Sequence, residues 1–208
     1  DSESKKIKQI NTATGAIDAE IDVTDYPRIT TLALSPDASQ LYAITYGQAP
    51  GKLYAFDIAT GSLSSSIQLS LYLTDLIVTS DGSKIYIGER EGKLYRVDTA
   101  TFTVEHTKTL KGTLNALKLS PDESTLYLIS NDSSEQLYRV NTSNWAHEYI
   151  YFSNETLLDL HLNSDGSQLL VATKSYLWSF ETATLDSQQK IELFYPAGNI
   201  KVNSSETY

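Results

Sequence analysis

Apolar residues along this chain fall in short stretches of four to six, alternating or continuous, each cut off by turn chemistry such as Ser-Pro-Asp, Ser-Asp-Gly or Ala-Thr-Gly. Alternation with period two, bounded by Asp, Gly, Ser and Pro, is the signal of half-buried strands joined by hairpins. In one stretch the pattern predicts strands over Leu73–Thr79, Lys84–Gly88, Lys93–Asp98 and Thr103–Leu110. No segment sustains a 3.6-residue apolar period beside helix caps, so helices are not predicted.

The pattern repeats. Leu32-Ala33-Leu34-Ser35-Pro36-Asp37-Ala38-Ser39-Gln40-Leu41-Tyr42 returns from Leu76 through Thr79-Ser80-Asp81-Gly82 to Ile85-Tyr86. It returns again from Leu117 through Ser120-Pro121-Asp122 to Leu126-Tyr127, and from Leu160 through Asn163-Ser164-Asp165-Gly166 to Leu169-Leu170. The turn aspartates Asp37, Asp81, Asp122 and Asp165 are spaced 44, 41 and 43 residues apart. A second anchor keeps the same beat: Lys52-Leu53-Tyr54-Ala55-Phe56-Asp57 recurs at Lys93–Asp98, at Gln136–Asn141 and at Tyr176–Glu181, with one more copy at Ile7–Asn11. Four short strands in each repeat of roughly 40–45 residues are the signature of a β-propeller blade.

The expected fold is therefore all-β, a single propeller domain over residues 1–208 made of four-stranded antiparallel blades. Blade units are expected at about 27–69, 70–110, 111–152 and 154–193. Residues 5–23 supply a third and a fourth strand, and 196–208 a first strand, of one hybrid closing blade. That makes about five blades; the alternative is a portion of a ring of six to eight.

The stretch Ile10-Asn11-Thr12-Ala13-Thr14-Gly15-Ala16-Ile17-Asp18-Ala19-Glu20-Ile21-Asp22-Val23, followed by Pro27 and Leu34-Ser35-Pro36-Asp37, closely resembles the YVTN β-propeller repeat of microbial surface-layer proteins. The place of the signature tetrad holds Leu41-Tyr42-Ala43-Ile44 and its counterparts Ile85–Gly88, Leu126–Ile129 and Leu169–Ala172. The resemblance implies a propeller that is usually exported and serves as a surface or interaction module, near lactonase-type and quinoprotein-like propellers in fold. Fold likeness alone transfers no activity.

Charge and composition narrow the partners. A formal net charge of −10, from 16 basic and 26 acidic residues, argues against nucleic acid, which is bound by clustered Lys and Arg. Lys5, Lys6 and Lys8 form the longest basic cluster and read as a solvated face. No apolar run approaches the ~20 residues that span a bilayer, so direct membrane insertion is not expected. The chain has no Cys, which excludes disulfides, thiolate metal sites and cysteine nucleophiles. Acidity, abundant Ser and Thr and the lack of Cys together favour an extracellular or cell-surface setting, with the periplasm as an alternative, and a protein or carbohydrate partner.

Catalytic constellations are not apparent. His106, His147 and His161 belong to different blades and lack metal-ligand spacing, and no Gly-x-Ser-x-Gly elbow occurs. Turn carboxylates that recur in every blade (Asp37, Asp81, Asp122, Asp165, Asp57, Asp98 and the counterparts Asn141 and Glu181) read as turn caps, because a site is needed once and a turn in every repeat. Residues that break the repeat on the innermost strand are better candidates, since that strand lines the channel. Aligned on the turn aspartate, one position reads Thr31, Asp75, Ala116, Asp159 and Asn199, and the one before it Thr30, Thr74, Asn115, Leu158 and Gly198. Asp75, Asp159, Asn115, Asn199 and Thr31 are thus the channel-facing ligand candidates, with Asp75 and Asp159 able to hold a cation or polyol.

Trp145, Tyr149, Tyr151 and Phe152 cluster around a fourth strand; aromatics between blades are expected in the core, with stacking surface for a sugar or protein as the alternative. Asn131, Asn141, Asn154 and Asn203 begin N-glycosylation patterns. The expected function is a non-catalytic binding, adhesion or assembly module with no cofactor, no metal and no catalytic residue. The alternative is a lactonase- or glycoside-hydrolase-type enzyme using Asp75, Asp159 and His161 in the channel.

Overall fold

Each turn motif of the repeat closes a hairpin in the computed structural model, which describes residues 5–47, 51–131 and 136–193. A half-blade comes first, β1 (Lys6–Ile10) paired with β2 (Ile17–Asp22). Blade 1 is β3 (Ile29–Leu34), β4 (Gln40–Thr45), β5 (Lys52–Asp57) and β6 (Leu63–Gln68). Blade 2 is β7 (Leu73–Val78), β8 (Lys84–Glu89), β9 (Lys93–Asp98) and β10 (Thr103–Thr109). Blade 3 is β11 (Thr113–Leu119), β12 (Thr125–Asn131), β13 (Gln136–Asn141) and β14 (His147–Tyr151). Blade 4 is β15 (Leu157–Leu162), β16 (Gln168–Thr173), β17 (Tyr176–Glu181) and β18 (Ser187–Glu192).

Strand order within each sheet follows the chain and every pair is antiparallel, as the repeat predicts. The innermost strands β3, β7, β11 and β15 pack side by side from blade to blade. The expected closing segment 196–208, with its candidate Asn199, lies outside the described residues.

The hydrophobic core lies between blades. Second strands are buried on both faces, so their sequences are continuous apolar runs. Tyr42 and Ile44 of blade 1 pack with Leu73, Leu76, Ile85 and Ile87 of blade 2. Tyr86 and Leu94 pack with Leu117, Leu126 and Leu128, and Tyr127 and Ile129 with Leu160, Leu169 and Val171. Fourth strands are largely exposed and mostly polar.

The turn aspartates cap. Asp37 Oδ1 accepts from the Ser39 amide at 3.0 Å and the Ser35 hydroxyl at 2.6 Å, and Asp122 repeats this with Ser124 and Ser120. Asp57, Asp98 and Asn141 accept amide bonds from residues two or three further on. This self-contained bonding is what a short Asx-type turn offers.

At the end of the same turn the repeat places Gly15, Gly61, Phe102, Trp145 and Leu185, all at positive φ, between 54° and 71°. Three of these are bulky residues in a backbone region that L side chains avoid. Burial compensates: Trp145 and Leu185 are each 6 % exposed and join the clusters between blades.

Candidate functional site

The innermost strands do more than line the axis. Each carries a register shift at the same point, after Ile29, Leu73, Leu114 and Leu157. A bulge at that point re-aims the following side chain, which is the position read as Thr31, Asp75, Ala116 and Asp159. In three of the four blades a polar side chain of the bulge reaches a backbone group.

Asp75 carries the clearest geometry. Its Oδ1 accepts the Leu76 amide and its Oδ2 accepts the Leu117 amide on the next blade, both at 2.9 Å. Burial pushes its carboxyl up to about 6; the Leu117 and Leu76 amides and the Lys118 charge pull it back, and the Asp159 charge adds to the rise. Thr31 donates to the Thr74 carbonyl of blade 2 at 3.1 Å, and the Thr74 hydroxyl donates in turn to the Leu114 carbonyl of blade 3. Asp159 Oδ1 accepts the Leu160 amide at 2.9 Å, the same local bond that Asp75 makes. Asn115 sits within the bulge of β11 and is half-buried. Thr31 and Asp75 thus bridge adjacent blades.

The histidines stay apart. His106 stacks on Trp145 with ring centroids 4.1 Å apart, and His147 lies 5.9 Å from the Tyr138 ring. His161 Nε2 is buried without a hydrogen-bond partner among the described residues. Among those residues no group of three or more His, Asp or Glu side chains is arranged to hold a metal ion.

Of the four aromatics around β14, Trp145 and Phe152 are core residues, each 6 % exposed, while Tyr149 and Tyr151 are open at 53 % and 56 %. Of the glycosylation-pattern asparagines, Asn131 exchanges two hydrogen bonds with the backbone of Leu157 on blade 4, and Asn141 caps its turn.

Two features escaped the sequence reading. Glu89, 1 % exposed, ends β8 where the other blades have Thr45, Ser130 and Thr173. It accepts from the Glu91 amide at 3.1 Å and from the Ser70 hydroxyl, and burial raises its carboxyl above the usual range. Reading the last residue of the second strand down the repeat would have singled it out.

The second is a cleft of about 770 Å³ between blades 3 and 4, on the side of the Ser-Pro-Asp turns. Ser120, Asp122, Tyr127, Arg139, Glu148 and Asp165 are among its lining residues. Arg139 crosses its floor, donating to the Thr182 and Ala183 carbonyls of blade 4 and pairing with Glu148. Arg96 does the same one blade earlier, donating to the Thr142 carbonyl at 3.0 Å. The cleft offers hydroxyls and carboxylates in a concave setting, the equipment for a hydrophilic ligand.

No family model matches the chain, and no curated protein matches its sequence. Solved structures do. Hydrazine synthase of Kuenenia stuttgartiensis superposes with a TM-score of 0.80 at 15 % identity, over 91 % of this chain and 60 % of that one. The β-propeller domain of Cps50 (Swd1) from Myceliophteria thermophila gives 0.72 at 12 % identity, over 85 % of this chain and 60 % of that one. The dihydro-heme d1 dehydrogenase NirN, in complex with DHE, gives 0.74 at 15 % identity, over 92 % and 42 %. At such identities the likeness establishes the β-propeller fold and nothing finer, and this chain spans only about half the length of the structures it matches.

Proposed function

We propose that this propeller is a non-catalytic binding module of the YVTN type, exported and displayed at the cell surface, which takes a hydrophilic partner in the cleft between blades 3 and 4. The observation that carries this reading is the engagement of Asp75. Both of its oxygens accept backbone amides, one on each of two blades, so this repeat-breaking carboxylate acts as a latch. The cleft is lined by exposed carboxylates, Asp122, Glu148 and Asp165, beside the buried Tyr127 ring and the Arg139 guanidinium; turn bonds from Ser124 and Ser167 and the Arg139–Glu148 pair hold them in place. Such a lining suits the hydroxyls of an oligosaccharide or the polar backbone of a protein loop.

The test is a screen of soluble oligosaccharides and polypeptides by titration against the whole chain, repeated with Ala146→Trp. Ala146 is an exposed residue of the cleft wall, and an indole there fills the cleft while leaving the Arg139 contacts in place. Binding that Ala146→Trp abolishes supports the reading. Binding unaffected by it moves the site elsewhere.

A second reading rests on the raised carboxyl of Asp75, which at about 6 resembles a general acid and senses the charge of Asp159. It requires a turnover that disappears in both Asp75→Asn and Asp159→Asn. Such a result would replace the binding module with a hydrolase of lactonase or glycosidase type.

A further inference from the structure

Fourth strands line the outer rim, and their register with the third strands fixes which side chains are equivalent from blade to blade. Opposite the third-strand position held by Tyr54, Tyr95, Trp178 and Lys8 stand Ser66, Thr107, Lys190 and Glu20. Two residues further on, the fourth strand presents Gln68, Thr109, Glu192 and Asp22. Every one of these is polar. Blade 3 alone has tyrosine at both places, Tyr149 opposite Tyr138 and Tyr151 opposite Gln136. At 53 % and 56 % exposure they are the only exposed aromatic side chains among the described residues.

The position between those two follows a rule of its own. It is isoleucine in the half-blade and in blades 1, 3 and 4, as Ile21, Ile67, Ile150 and Ile191. Its side chain faces the following blade, where Ile21, Ile67 and Ile150 join the apolar clusters. Blade 2 breaks the rule with Lys108, whose cross-strand partner Leu94 belongs to the core between blades 2 and 3. The two departures meet. Burial first, and the Lys108 charge second, hold His147 of β14 below the ordinary imidazole value. Tyr149 faces back toward blade 2, its ring 5.6 Å from that of Tyr138, a member of the same core. His106, stacked on Trp145, closes one end of the groove between β10 and β14. A residue type needed for folding recurs in every blade, so departures from the repeat on opposite walls of one groove mark that groove as a site.

Lys108 is half-buried and has no ion-pair partner among the described residues. Glu105 on the same strand is taken by Lys84 and Arg96, and Glu148 faces the other way, into the cleft beside blade 4. The net charge of −10 repels an anion from afar, but beyond roughly 8 Å that repulsion is screened at physiological salt, so the local lysine decides. Tyr149 and Tyr151, two residues apart on one strand face, are spaced about 7 Å along the rim. Such a pair is a platform for sugar rings, whose C–H faces stack on aromatic surface while their hydroxyls bond the phenol groups. We propose that the groove between β10 and β14 binds an acidic oligosaccharide: sugar rings stack on Tyr149 and Tyr151, and a uronate carboxylate pairs with Lys108. An acidic peptide would engage Lys108 and leave both ring faces bare. A single-stranded nucleic acid would stack, but it needs a basic track along its backbone, and one lysine is not a track. The groove lies across blade 3 from the Arg139 cleft and is independent of the reading given to that cleft.

The probes are tetramers of galacturonate, mannuronate and glucuronate, titrated against the whole chain by calorimetry at low and high salt. Expected is saturable one-to-one binding of at least one tetramer, weakening with added salt, and markedly weaker binding of its methyl ester. The variants restore the repeat, so they keep the urea midpoint: Tyr149→Ser and Tyr151→Gln copy Ser66 and Gln68, and Lys108→Ile copies Ile67. Each tyrosine variant weakens binding about threefold to tenfold, the size of one aromatic contact. Lys108→Ile weakens it about fivefold or more and removes the salt dependence. Ala146→Trp, which fills the cleft beside blade 4, leaves it unchanged. Failure of all three tetramers to bind overturns the proposal. So does binding that survives Tyr149→Ser combined with Tyr151→Gln, or that Ala146→Trp abolishes. Equal affinity for the methyl ester overturns the role of Lys108 and with it the acidic ligand. Equal affinity for tetraglutamate or for a thymidine tetranucleotide overturns the proposal in favour of a peptide or a nucleic acid.

Discussion

Gly166 of blade 4 has no room for a side chain because Pro121 of blade 3 presses on it: a Cβ at Gly166 would stand 2.6 Å from Pro121 Cδ. Pro36 and Gly82 repeat the relationship between blades 1 and 2, at 3.1 Å. Between blades 2 and 3 the pair changes character. Ser80 replaces proline and keeps its N–H, which donates to the carboxylate of Glu123. Gly166→Ala, at a φ of +75° against a rigid ring, is expected to destabilise the protein by about 1–3 kcal/mol in urea unfolding. The double variant Pro121→Ser with Gly166→Glu imitates the blade 2–3 pair and should be more stable than Gly166→Glu alone; equal stabilities would show that the two turns do not communicate.

Trp145 combines a φ of 62° with stacking on His106, a cation–π contact with Arg96 at 5.3 Å and burial against Tyr86. Trp145→Gly relieves the backbone but empties the space between blades 2 and 3. Loss of packing is the larger effect, so the variant is expected to lose about 2–4 kcal/mol, read from the denaturant midpoint at unchanged slope. A stabilised variant would mean that backbone strain outweighs the contacts.

Asp75 makes stability depend on pH in an unusual direction. Its carboxyl rises from the ordinary value of 3.8 to about 6 on folding, so the folded state binds the proton more tightly. The contribution of the group is therefore most favourable below about pH 4 and declines as pH rises to about 6, by about 2 kcal/mol. The stability of the natural protein relative to Asp75→Asn should fall by that amount between pH 4 and pH 7. A constant difference would place the carboxyl in an ordinary, solvated setting.

The turn aspartates act in the opposite sense. The Ser35 hydroxyl holds Asp37 below the usual carboxylate range, the Ser83 amide does so for Asp81, and the Ser120 hydroxyl for Asp122. A depressed carboxyl stabilises the fold above its unfolded value near 4 and loses that contribution as pH falls through the folded value. Asp122→Asn should lower the urea midpoint at about pH 6 and differ progressively less from the natural protein from about pH 4 down to pH 2. An undiminished difference at the acid end would remove these turns from the acid sensitivity of the protein.

The blades were legible because two independent anchors recur in phase, and each of them is local: the Ser-Pro-Asp turn and the Leu-Tyr strand need only neighbouring residues to be recognised. The bridging role of Asp75 was not legible, since its partner is the backbone amide of Leu117, 42 residues away, and a backbone amide leaves no trace in the sequence. The place of Trp145 between two blades agrees with the core expected of such aromatics, but its left-handed backbone was not legible, since glycine fills the same position in other copies of the turn. Glu89 was overlooked because its neighbours on β8 drew attention as strand formers.

The turn pairs that separate Pro36 and Gly82 from Ser80 and Glu123 give the array a parity. Blades 1 and 3 carry proline with Ala38 or Glu123, and blades 2 and 4 carry serine with Gly82 or Gly166. The innermost strand keeps the same count, with Asp75 and Asp159 on the even blades and Thr31 and Ala116 on the odd ones. Transplanting a single blade by one place would set a proline against Ala38 or Glu123, or leave Gly82 or Gly166 without the proline ring it packs against. A ring that kept this alternation all the way round would have an even number of blades, whereas one of five would bring two like turns together at a single seam.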